Sequence, residues 1–166
     1  DPKRKELLNK AIRSIKNQTL KPKEVIIVDN NKELNNRYLV NKLNNNSSIN
    51  FKYFKFTKKG GAFGVRNFFV KKISTQYVAF LDDDDFWDKN YLLEFSKLNN
   101  YKKYDLILTN TNFIQSGKKN VIFHIDEKDF TIEKIGLYNP GIRSSATIVK
   151  TKSLLKIKGY DLKLYY

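Results

Sequence analysis

The sequence predicts an α/β domain with three α/β/α layers around a mostly parallel central sheet. In the first half of the chain, segments with helical spacing of apolar residues alternate with short apolar segments typical of strands. This alternation is typical of parallel sheets with helices on both faces. Two of the strands also run directly into aspartate, and open parallel sheets bind ligands beyond the carboxyl ends of their strands. The 166 residues are enough for one domain with a single core.

Helices and strands are predicted to alternate along the first half of the chain. Near the amino end, apolar residues recur on one helical face, and a Lys21-Pro22 turn then precedes an apolar strand that leads into Asp29. Aromatic residues alternate with lysines after Phe51, as in a strand with one buried face. In order, the predicted elements are helix 5–17, strand 24–28, helix 32–43, strand 51–56, helix 62–73, strand 77–81 and helix 89–98.

The second half is predicted to contain mostly strands. The polar segment 116–120 lies between two apolar segments and predicts the turn of a hairpin. A short helix is expected to end near Gly159, because glycine readily adopts the left-handed conformation that follows many helices. The predicted elements are strand 105–111, hairpin strands 112–115 and 121–125, strand 145–150 and helix 152–157.

The composition restricts the classes of function. The 32 Lys and Arg against 17 Asp and Glu give a net charge of +15, which suggests a polyanionic partner such as nucleic acid, an anionic membrane face or a phosphorylated substrate. The lysines are dispersed along the chain, so charge alone identifies no partner. The absence of cysteine excludes disulfides and thiolate metal sites.

Targeting signals are not evident in the sequence, which begins at Asp1 rather than at methionine. No segment approaches the roughly 18 uninterrupted apolar residues of a membrane-spanning helix, and no signal peptide is visible. We expect a cytoplasmic protein that is soluble or peripheral at the inner face of a membrane.

Four consecutive aspartates, Asp82 to Asp85, follow the predicted strand 77–81. Adjacent carboxylates repel one another, and hard divalent cations such as Mn²⁺ or Mg²⁺ are the commonest reason for such a cluster. A solvated surface loop is the alternative. We favour the metal interpretation because the run ends a buried strand and continues into Phe86-Trp87, which are unusual in a surface loop. Since the strand before Asp29 would end at the same sheet edge, one shared ligand site is expected.

Four segments of the chain resemble the family 2 glycosyltransferases, which have the Rossmann-like GT-A fold of nucleotide-diphospho-sugar transferases. The resemblance covers most of residues 4–100, and the order and spacing of the segments also match. Segment 157–161, Ile-Lys-Gly-Tyr-Asp, resembles more weakly the stretch before the family's catalytic region. The four segments are the first helix at 6–19, the strand PKEVIIVDN at 22–30, the glycine-rich turn GGAFGVRN at 60–67 and the Asp-x-Asp segment YVAFLDDDDFW at 77–87.

The resemblance implies a nucleotide-binding role for residues in the first half. Asp29, followed by Asn30, would accept a hydrogen bond from a uracil-like base, although an aspartate there could also form an ordinary turn. Arg66 would approach the base or the diphosphate, and the alternative is a solvated helix charge. Gly60 and Gly61 would let the backbone approach the nucleotide, or simply form a turn.

The same resemblance assigns the metal to the aspartate run. Asp82 would face the ribose or a metal-bound water, and Asp84 would bind the metal. Asp83 could supply a contact instead, because the run leaves the register open. The implied cofactor is Mn²⁺ or Mg²⁺.

Three other features have less specific interpretations. His124 is expected to be a packed or edge residue rather than a ligand, and Trp87 a packing residue near the site. Pro140-Gly141 with Arg143 could form part of an acceptor loop or an ordinary turn.

The implied reaction is inverting glycosyl transfer from a nucleotide-diphosphate sugar, with UDP favoured, to a hydroxyl of a saccharide or lipid-linked acceptor. Surface polysaccharide or glycolipid synthesis is the expected pathway class, and no nucleic-acid partner is expected. Residues 1–100 would form the nucleotide-binding half of one domain, and residues 101–166 would begin the acceptor-binding half.

Two departures from the family pattern lead to a further expectation. The family's first strand should precede Asp1, and the catalytic base is expected beyond Tyr166, since Asp161 matches only a position before it. The 166-residue chain is therefore expected to bind a nucleotide and to be poor or inactive as a transferase.

Two alternatives stay open on the sequence. Another metal-dependent nucleotide-sugar enzyme, such as a nucleotidyltransferase, would share the metal and the nucleotide but release pyrophosphate. A basic nucleic-acid-binding module would fit the charge and the interleaved aromatic residues at 51–56. Strong salt dependence of nucleic-acid binding would distinguish it from metal-dependent nucleotide-sugar binding.

Overall fold

The computed structural model describes residues 2–31, 37–115, 118–123 and 142–164, together with positions 126, 128, 131, 133 and 134. The start of the predicted second helix, His124 and Pro140-Gly141 lie outside the described residues.

Helices form where apolar residues recur on one face. In the first helix, Ala11, Ile12 and Ile15 are buried because their spacing places them on the same side, while lysines and arginines occupy the exposed side. The predicted helices 62–73 and 89–98 are confirmed with shorter bounds. The helices of the described residues are α1 (Pro2–Lys16), α2 (Arg37–Asn45), α3 (Gly61–Val70), α4 (Tyr91–Lys97) and α5 (Thr151–Lys156).

The strands form three hydrogen-bonded groups in the described part of the chain. The pair β1–β2 is parallel, with Glu24 opposite Asn50 and Asp29 opposite Lys55. The strands are β1 (Glu24–Asp29), β2 (Asn50–Lys55), β3 (Tyr77–Ala79), β4 (Leu106–Leu108), β5 (Thr111–Gln115), β6 (Lys118–Phe123) and β7 (Thr147–Lys150).

Strand β7 lies between β3 and β4 and runs antiparallel to both. Its two neighbours therefore run in the same direction, while β5 and β6 form a separate antiparallel hairpin. The α/β class with a parallel strand pair and flanking helices is confirmed, and β7 is the antiparallel member.

Three predicted boundaries in the second half of the chain were wrong, and the predicted strand 77–81 ends at Ala79. The predicted strand 105–111 is divided, because Leu106–Leu108 pairs with β7, whereas Thr111 begins the pairing with β6. The predicted turn 116–120 is too long, since Lys118 is already paired with Gln115. The segment 144–146 is a 3-10 turn, so that β7 starts at Thr147.

Two hydrophobic clusters support the sheet. The first contains the buried residues Ile12 and Phe51, and Leu81 and Trp87 pack against it from the segment that follows β3. The second contains Val70, Phe80 and Leu154. Because Phe80 and Leu81 belong to different clusters, the aspartate run begins at a position fixed from both sides.

Helix α5 ends near Gly159, as predicted, in a hydrogen-bonded turn. The Lys158 N–H donates to Leu155 O and the Gly159 N–H donates to Leu154 O, both at 3.0 Å. This is the bonding pattern of a Schellman motif. The first residue after the helix in a left-handed conformation is therefore Lys158, with φ 62°, and Gly159 follows with φ 84°.

The Asp105 carboxylate interacts with one residue of α5 and one residue of β7. Its carboxylate accepts a hydrogen bond from Ser153 Oγ at 2.7 Å and lies 3.4 Å from Lys150 Nζ. The Ser153 hydroxyl, assisted by Lys150, lowers the pKa of Asp105 below its ordinary value. We expect Ser153→Ala to raise that pKa toward 3.8, measured by a carbon-detected NMR titration.

The sign of the effect on stability follows from linkage. A carboxylate with a lowered folded pKa stabilises the fold above its unfolded pKa, and this contribution is lost as the pH falls through the folded value. The stability difference between wild type and Ser153→Ala should therefore shrink in acid. Ser96→Ala, which removes a hydroxyl bonded to Leu93 O, is the matched control and should leave the pKa of Asp105 unchanged.

Candidate active site

The segment 82–88, which we call the acidic loop, follows β3 and is fixed at two points by Ser145. The Asp82 N–H donates to Ser145 Oγ at 3.0 Å, and Trp87 Nε1 donates to Ser145 O at 2.7 Å. Between these points, the Asp85 N–H donates to Asp82 O at 3.2 Å and closes a turn. One buried serine before β7 therefore sets the spacing of the loop's two ends.

The far end of the acidic loop is fixed by Gln18, whose side chain is fully buried. Its Nε2 donates to Asp88 O at 2.6 Å and to Ser14 O at 3.2 Å. Its Oε1 accepts the Leu92 N–H at 3.0 Å. Gln18 thus joins the end of α1, the acidic loop and the start of α4. No periodicity marked this residue, although it lies within the 6–19 segment that carried the family resemblance.

Arg66 lies under the first aspartate of the loop. It is 8% exposed, and its Nη2 lies 2.7 Å from Asp82 Oδ1. The guanidinium carbon also lies 5.9 Å from the Phe80 ring centroid and 5.8 Å from the Tyr160 ring centroid. Arg66 is therefore a buried, ion-paired charge between two aromatic rings, and the alternative of a solvated helix charge was wrong.

Burial and charge act in opposite directions on Asp82. Desolvation raises the pKa of this carboxyl above its ordinary value, and Arg66 opposes the rise through its charge and its hydrogen bond. The neighbouring Asp84 and Asp85 carboxylates raise the pKa further. An additional positive charge near Asp82 would stabilise its ionised form.

The next two aspartates face α1 and solvent. Arg4 Nη2 donates to Asp83 Oδ1 at 2.8 Å, and Arg4 Nη1 lies 3.9 Å from Asp84 Oδ2. Half of the Asp84 side chain is exposed. The three carboxylates are thus distinguished by their surroundings, because Asp82 is paired from below, Asp83 is paired with α1 and Asp84 is the most open.

The glycine pair opens α3 with an unusual backbone. Gly60 has φ 126° and Gly61 has φ 50°, and the Gly64 N–H donates to Gly60 O at 2.7 Å. A Cβ on Gly60 would lie 3.0 Å from Gly64 Cα. Glycine at position 60 is therefore required both by its φ and by the backbone beside it.

Asp29 is held within its own strand pair. Its Oδ2 accepts a hydrogen bond from Tyr53 OH at 2.8 Å and lies 3.6 Å from Lys55 Nζ. Its Oδ1 accepts the Asn31 N–H at 2.9 Å, which is the turn geometry considered from the sequence. Asn30, directly after the strand, is exposed. The carboxylate is thus oriented by two residues of β2 and by the backbone just after β1.

Tyr160 is a site neighbour that pattern analysis did not single out. The Asn67 amide donates to Tyr160 O and accepts the Tyr160 N–H, both at 2.7 Å. The Tyr160 ring stacks on Phe63 with centroids 5.1 Å apart. Burial raises the pKa of the Tyr160 hydroxyl, the positive charge of Arg66 lowers it, and Asp82 raises it again. The sequence signal for Tyr160 is the Gly-Tyr-Asp segment, whose resemblance to the family is weaker.

Trp87 packs as expected. Its ring stacks on Tyr91 with centroids 4.7 Å apart, and it contacts the first hydrophobic cluster. Arg143 is exposed, and its carbonyl accepts a hydrogen bond from Thr147 Oγ1 at 2.7 Å. The acceptor-loop role of Arg143 stays a prediction.

The acidic loop suits a metal ion that is coordinated partly by the protein and partly by substrate and water. Among the described residues, no group of three or more Asp, Glu, His or Cys side chains converges as a metal site. Mg²⁺ is commonly bound through one or two carboxylates together with substrate phosphates and water. Asp84 is open, and Asp82 has one oxygen on Arg66, so these two hard oxygen donors fit such a shared site.

Sequence comparison identifies a family for most of the chain. The family model "Glycosyl transferase family 2" matches residues 3–154. A curated relative, the GalNAc(5)-diNAcBac-PP-undecaprenol beta-1,3-glucosyltransferase of Campylobacter jejuni, is 39% identical over 83 residues. That alignment covers 49% of this chain and 26% of the relative, so the chain corresponds to only part of that protein.

Solved structures share the fold. Staphylococcus aureus TarS 1–349 in complex with UDP superimposes with a TM-score of 0.70 at 20% identity, over 97% of this chain and 48% of that one. The same TarS fragment in a second structure gives a TM-score of 0.68 over 98% of this chain and 49% of that one. At this identity the likeness shows the GT-A fold alone.

Within the described residues, no helix is both long enough and apolar enough to cross a bilayer.

The family match favours glycosyl transfer over the nucleotidyltransferase and nucleic-acid alternatives. With a family model spanning residues 3–154 and a GT-A fold, this chain belongs to glycosyl transferase family 2.

Proposed function

We propose that this domain binds a nucleotide-diphosphate sugar, with UDP as the favoured nucleotide, and serves inverting transfer of the sugar to an acceptor hydroxyl. The observation that carries the proposal is the acidic loop, which is fixed by Ser145 and Gln18 and paired with a buried arginine at the end of β3. Family membership supplies the reaction class.

The names of similar proteins support the choice of substrates. TarS was solved with UDP, and the Campylobacter relative is named for a PP-undecaprenol substrate. We infer a UDP-sugar donor and a saccharide or lipid-linked acceptor, in glycolipid or surface polysaccharide synthesis. We also place the protein at the cytoplasmic face of a membrane, where a lipid-linked acceptor would be reached peripherally.

Residues 1–100 would bind the donor, and residues 101–166 would begin the acceptor-binding half. The Asp29 carboxylate, with Asn30 beside it, would accept from the imide N–H of the base. Its orientation by Tyr53 and Lys55 supports this role. Gly60 and Gly61 would let the backbone approach the nucleotide.

Arg66 would have a positioning role toward the diphosphate, because its guanidinium is already committed to Asp82. Asp82 and Asp84 would hold Mn²⁺ or Mg²⁺, while Asp83 is engaged by Arg4. The bound ion would supply Lewis-acid neutralisation of the diphosphate charge. Asp82 and Arg66 would orient that end of the site.

Metal-dependent UDP binding tests the proposal. We expect calorimetry to show UDP binding with Mn²⁺ that is lost in EDTA. Asp84→Ala should lower the affinity at least tenfold, about 1.4 kcal/mol, because it removes a half-exposed carboxylate that is proposed to bind the metal. Asp85→Ala is the matched control from the same run and should retain binding within about threefold, less than 1 kcal/mol.

The same two variants also test which aspartates of the run bind the metal. If the ligands were Asp83 and Asp85, Asp85→Ala would abolish binding and Asp84→Ala would not. Absence of metal-dependent UDP binding in a folded protein would contradict the proposal. A nucleotidyltransferase would instead release pyrophosphate when supplied with a nucleoside triphosphate and a sugar phosphate.

A further inference from the structure

A cleft of about 240 Å³ lies between α1 and the acidic loop, and neither Asp82 nor Arg66 lines it. Three cations, Lys10, Arg13 and Lys89, line it together with the rings of Phe86 and Trp87. None of the lining side chains carries a negative charge. Like charges gathered around one concave surface repel one another, so an anion in the cleft would stabilise them.

These cations differ from others that the structure describes. Arg4, Lys55 and Arg66 each lie within 4.0 Å of a carboxylate. By contrast, Lys10, Arg13 and Lys89 have no such ion pair within the described ranges. The nearest acids along the chain are exposed as well, and Asp88 accepts the Asn90 N–H at 2.9 Å. The three cations of the cleft are therefore not neutralised by direct ion pairs within this part of the molecule.

The rest of the lining suits an oxygen-rich anion. Lys10 Nζ lies 4.0 Å from the centroid of the Phe86 ring, which is 41% exposed at the rim. Asn17, on the same helix, adds an exposed amide donor to the cleft wall. A planar guanidinium, two ammonium groups and an amide are all hydrogen-bond donors. Phosphate oxygens are the acceptors that this set of donors fits best.

We propose that this cleft is a phosphate-binding site distinct from the nucleotide site on the acidic loop. Arg4, which contacts the acidic loop, precedes Lys10 by six residues, or roughly 9 Å along α1. A phosphate held there would lie beside the donor site without competing for Asp82 or Asp84. The phosphate would be carried either by an anionic lipid headgroup or by a soluble phosphate compound.

Trp87 makes the cleft directly observable, because it is the sole tryptophan of the chain and lines the cleft. We would titrate inorganic pyrophosphate against Trp87 fluorescence in EDTA, with ionic strength held constant by chloride. A second titration in the Asp84→Ala background excludes pyrophosphate bound at the proposed donor site. A saturable change in both titrations is the expected result.

The variant for this test is Lys10→Ala/Arg13→Ala/Lys89→Ala, and its matched control is Lys102→Ala/Lys103→Ala/Lys156→Ala, which removes the same charge from exposed positions elsewhere. We expect the first to weaken pyrophosphate binding at least tenfold and the second less than threefold. Arg13→Ala alone, at an exposed helix position, should weaken it severalfold and serves if the triple variant is unstable. Metal-dependent UDP binding should be unchanged in all three.

Vesicles distinguish the two sources of phosphate. Sedimentation with phosphatidylcholine vesicles, with and without phosphatidylglycerol, is compared between the same variants. Loss of phosphatidylglycerol-dependent binding in the cleft variant alone assigns the phosphate to lipid headgroups, while pyrophosphate binding without vesicle binding assigns it to a soluble compound. If neither ligand binds, or if both triple variants lose binding equally, the cleft is not a phosphate site. Either result is separable from the proposed function, which the UDP measurement tests.

Discussion

Gln18→Leu is expected to destabilise the domain by about 2–4 kcal/mol, the range for breaking a buried hydrogen-bond network. Leucine fills most of the volume, but it removes all three hydrogen bonds of a side chain that is 0% exposed. The Asp88 carbonyl and the Leu92 N–H are then left without their side-chain partner. An unpaired buried polar group costs more than the hydrogen bond contributed.

The consequence for function follows from where Gln18 acts. Its amide fixes the end of the acidic loop at Asp88, so the variant should also bind metal and UDP more weakly. Urea unfolding measures the stability, and hydrogen exchange at the Leu92 amide reports the local opening. Gln76→Leu, at an exposed glutamine, is the matched control and should change stability by less than about 0.5 kcal/mol. Wild-type stability in Gln18→Leu would contradict the bridging role.

Gly159→Ala is expected to cost about 2–4 kcal/mol, because left-handed strain and a steric clash add at one position. Gly159 has φ 84°, where a Cβ is strained in any surroundings. The added Cβ would also lie 2.2 Å from Asn67 Oδ1. To avoid this contact, the Asn67 side chain must release Tyr160, which it holds through two hydrogen bonds.

A double-mutant cycle separates the two causes. If the clash with Asn67 matters, Gly159→Ala should cost less in the Asn67→Ala background, where only the backbone strain remains. Equal costs in both backgrounds would contradict the clash. Lys158→Gly is the control for backbone strain, because Lys158 is left-handed with φ 62°, and it should stabilise the protein by up to about 1 kcal/mol.

Release of Tyr160 should also weaken nucleotide binding at the proposed site. The Tyr160 ring lies against Phe63 and beside the Arg66 guanidinium, so its displacement exposes the buried guanidinium of the Asp82–Arg66 pair to water. Water screens this ion pair and weakens the orientation of Arg66. We therefore expect Gly159→Ala to lower UDP affinity severalfold under conditions where the domain is still folded.

The order of helices and strands was largely predictable because periodicity is a local property. The helix at 5–17, the strand at 24–28 and the strand at 51–56 all appear within a few residues of their predicted bounds. Errors arose where partners far along the chain set the boundary. The strand predicted at 105–111 divides because its first part pairs with β7, about 40 residues away, whereas Thr111 begins the pairing with β6.

The candidate site was predictable as a set of residues and not as an arrangement. The four aspartates and the arginine were evident from the sequence, but their pairings were not. Asp83 meets Arg4 across 79 positions, and Asp82 meets Arg66 across 16. No spacing rule relates such positions, since their contact depends on how α1 and α3 pack around the end of β3.

The amino-acid sequence by itself determined the α/β class, the glycosyltransferase resemblance and the acidic run, since these depend on local periodicity and on residue types in order. Only the tertiary structure decided which carboxylate is paired, which is open and which residues hold the loop. The side chains of Ser145, Gln18 and Asn67 carry that arrangement through hydrogen bonds to distant backbone groups. Their importance comes from buried polar groups that must be satisfied, a requirement that exists only once the chain has folded.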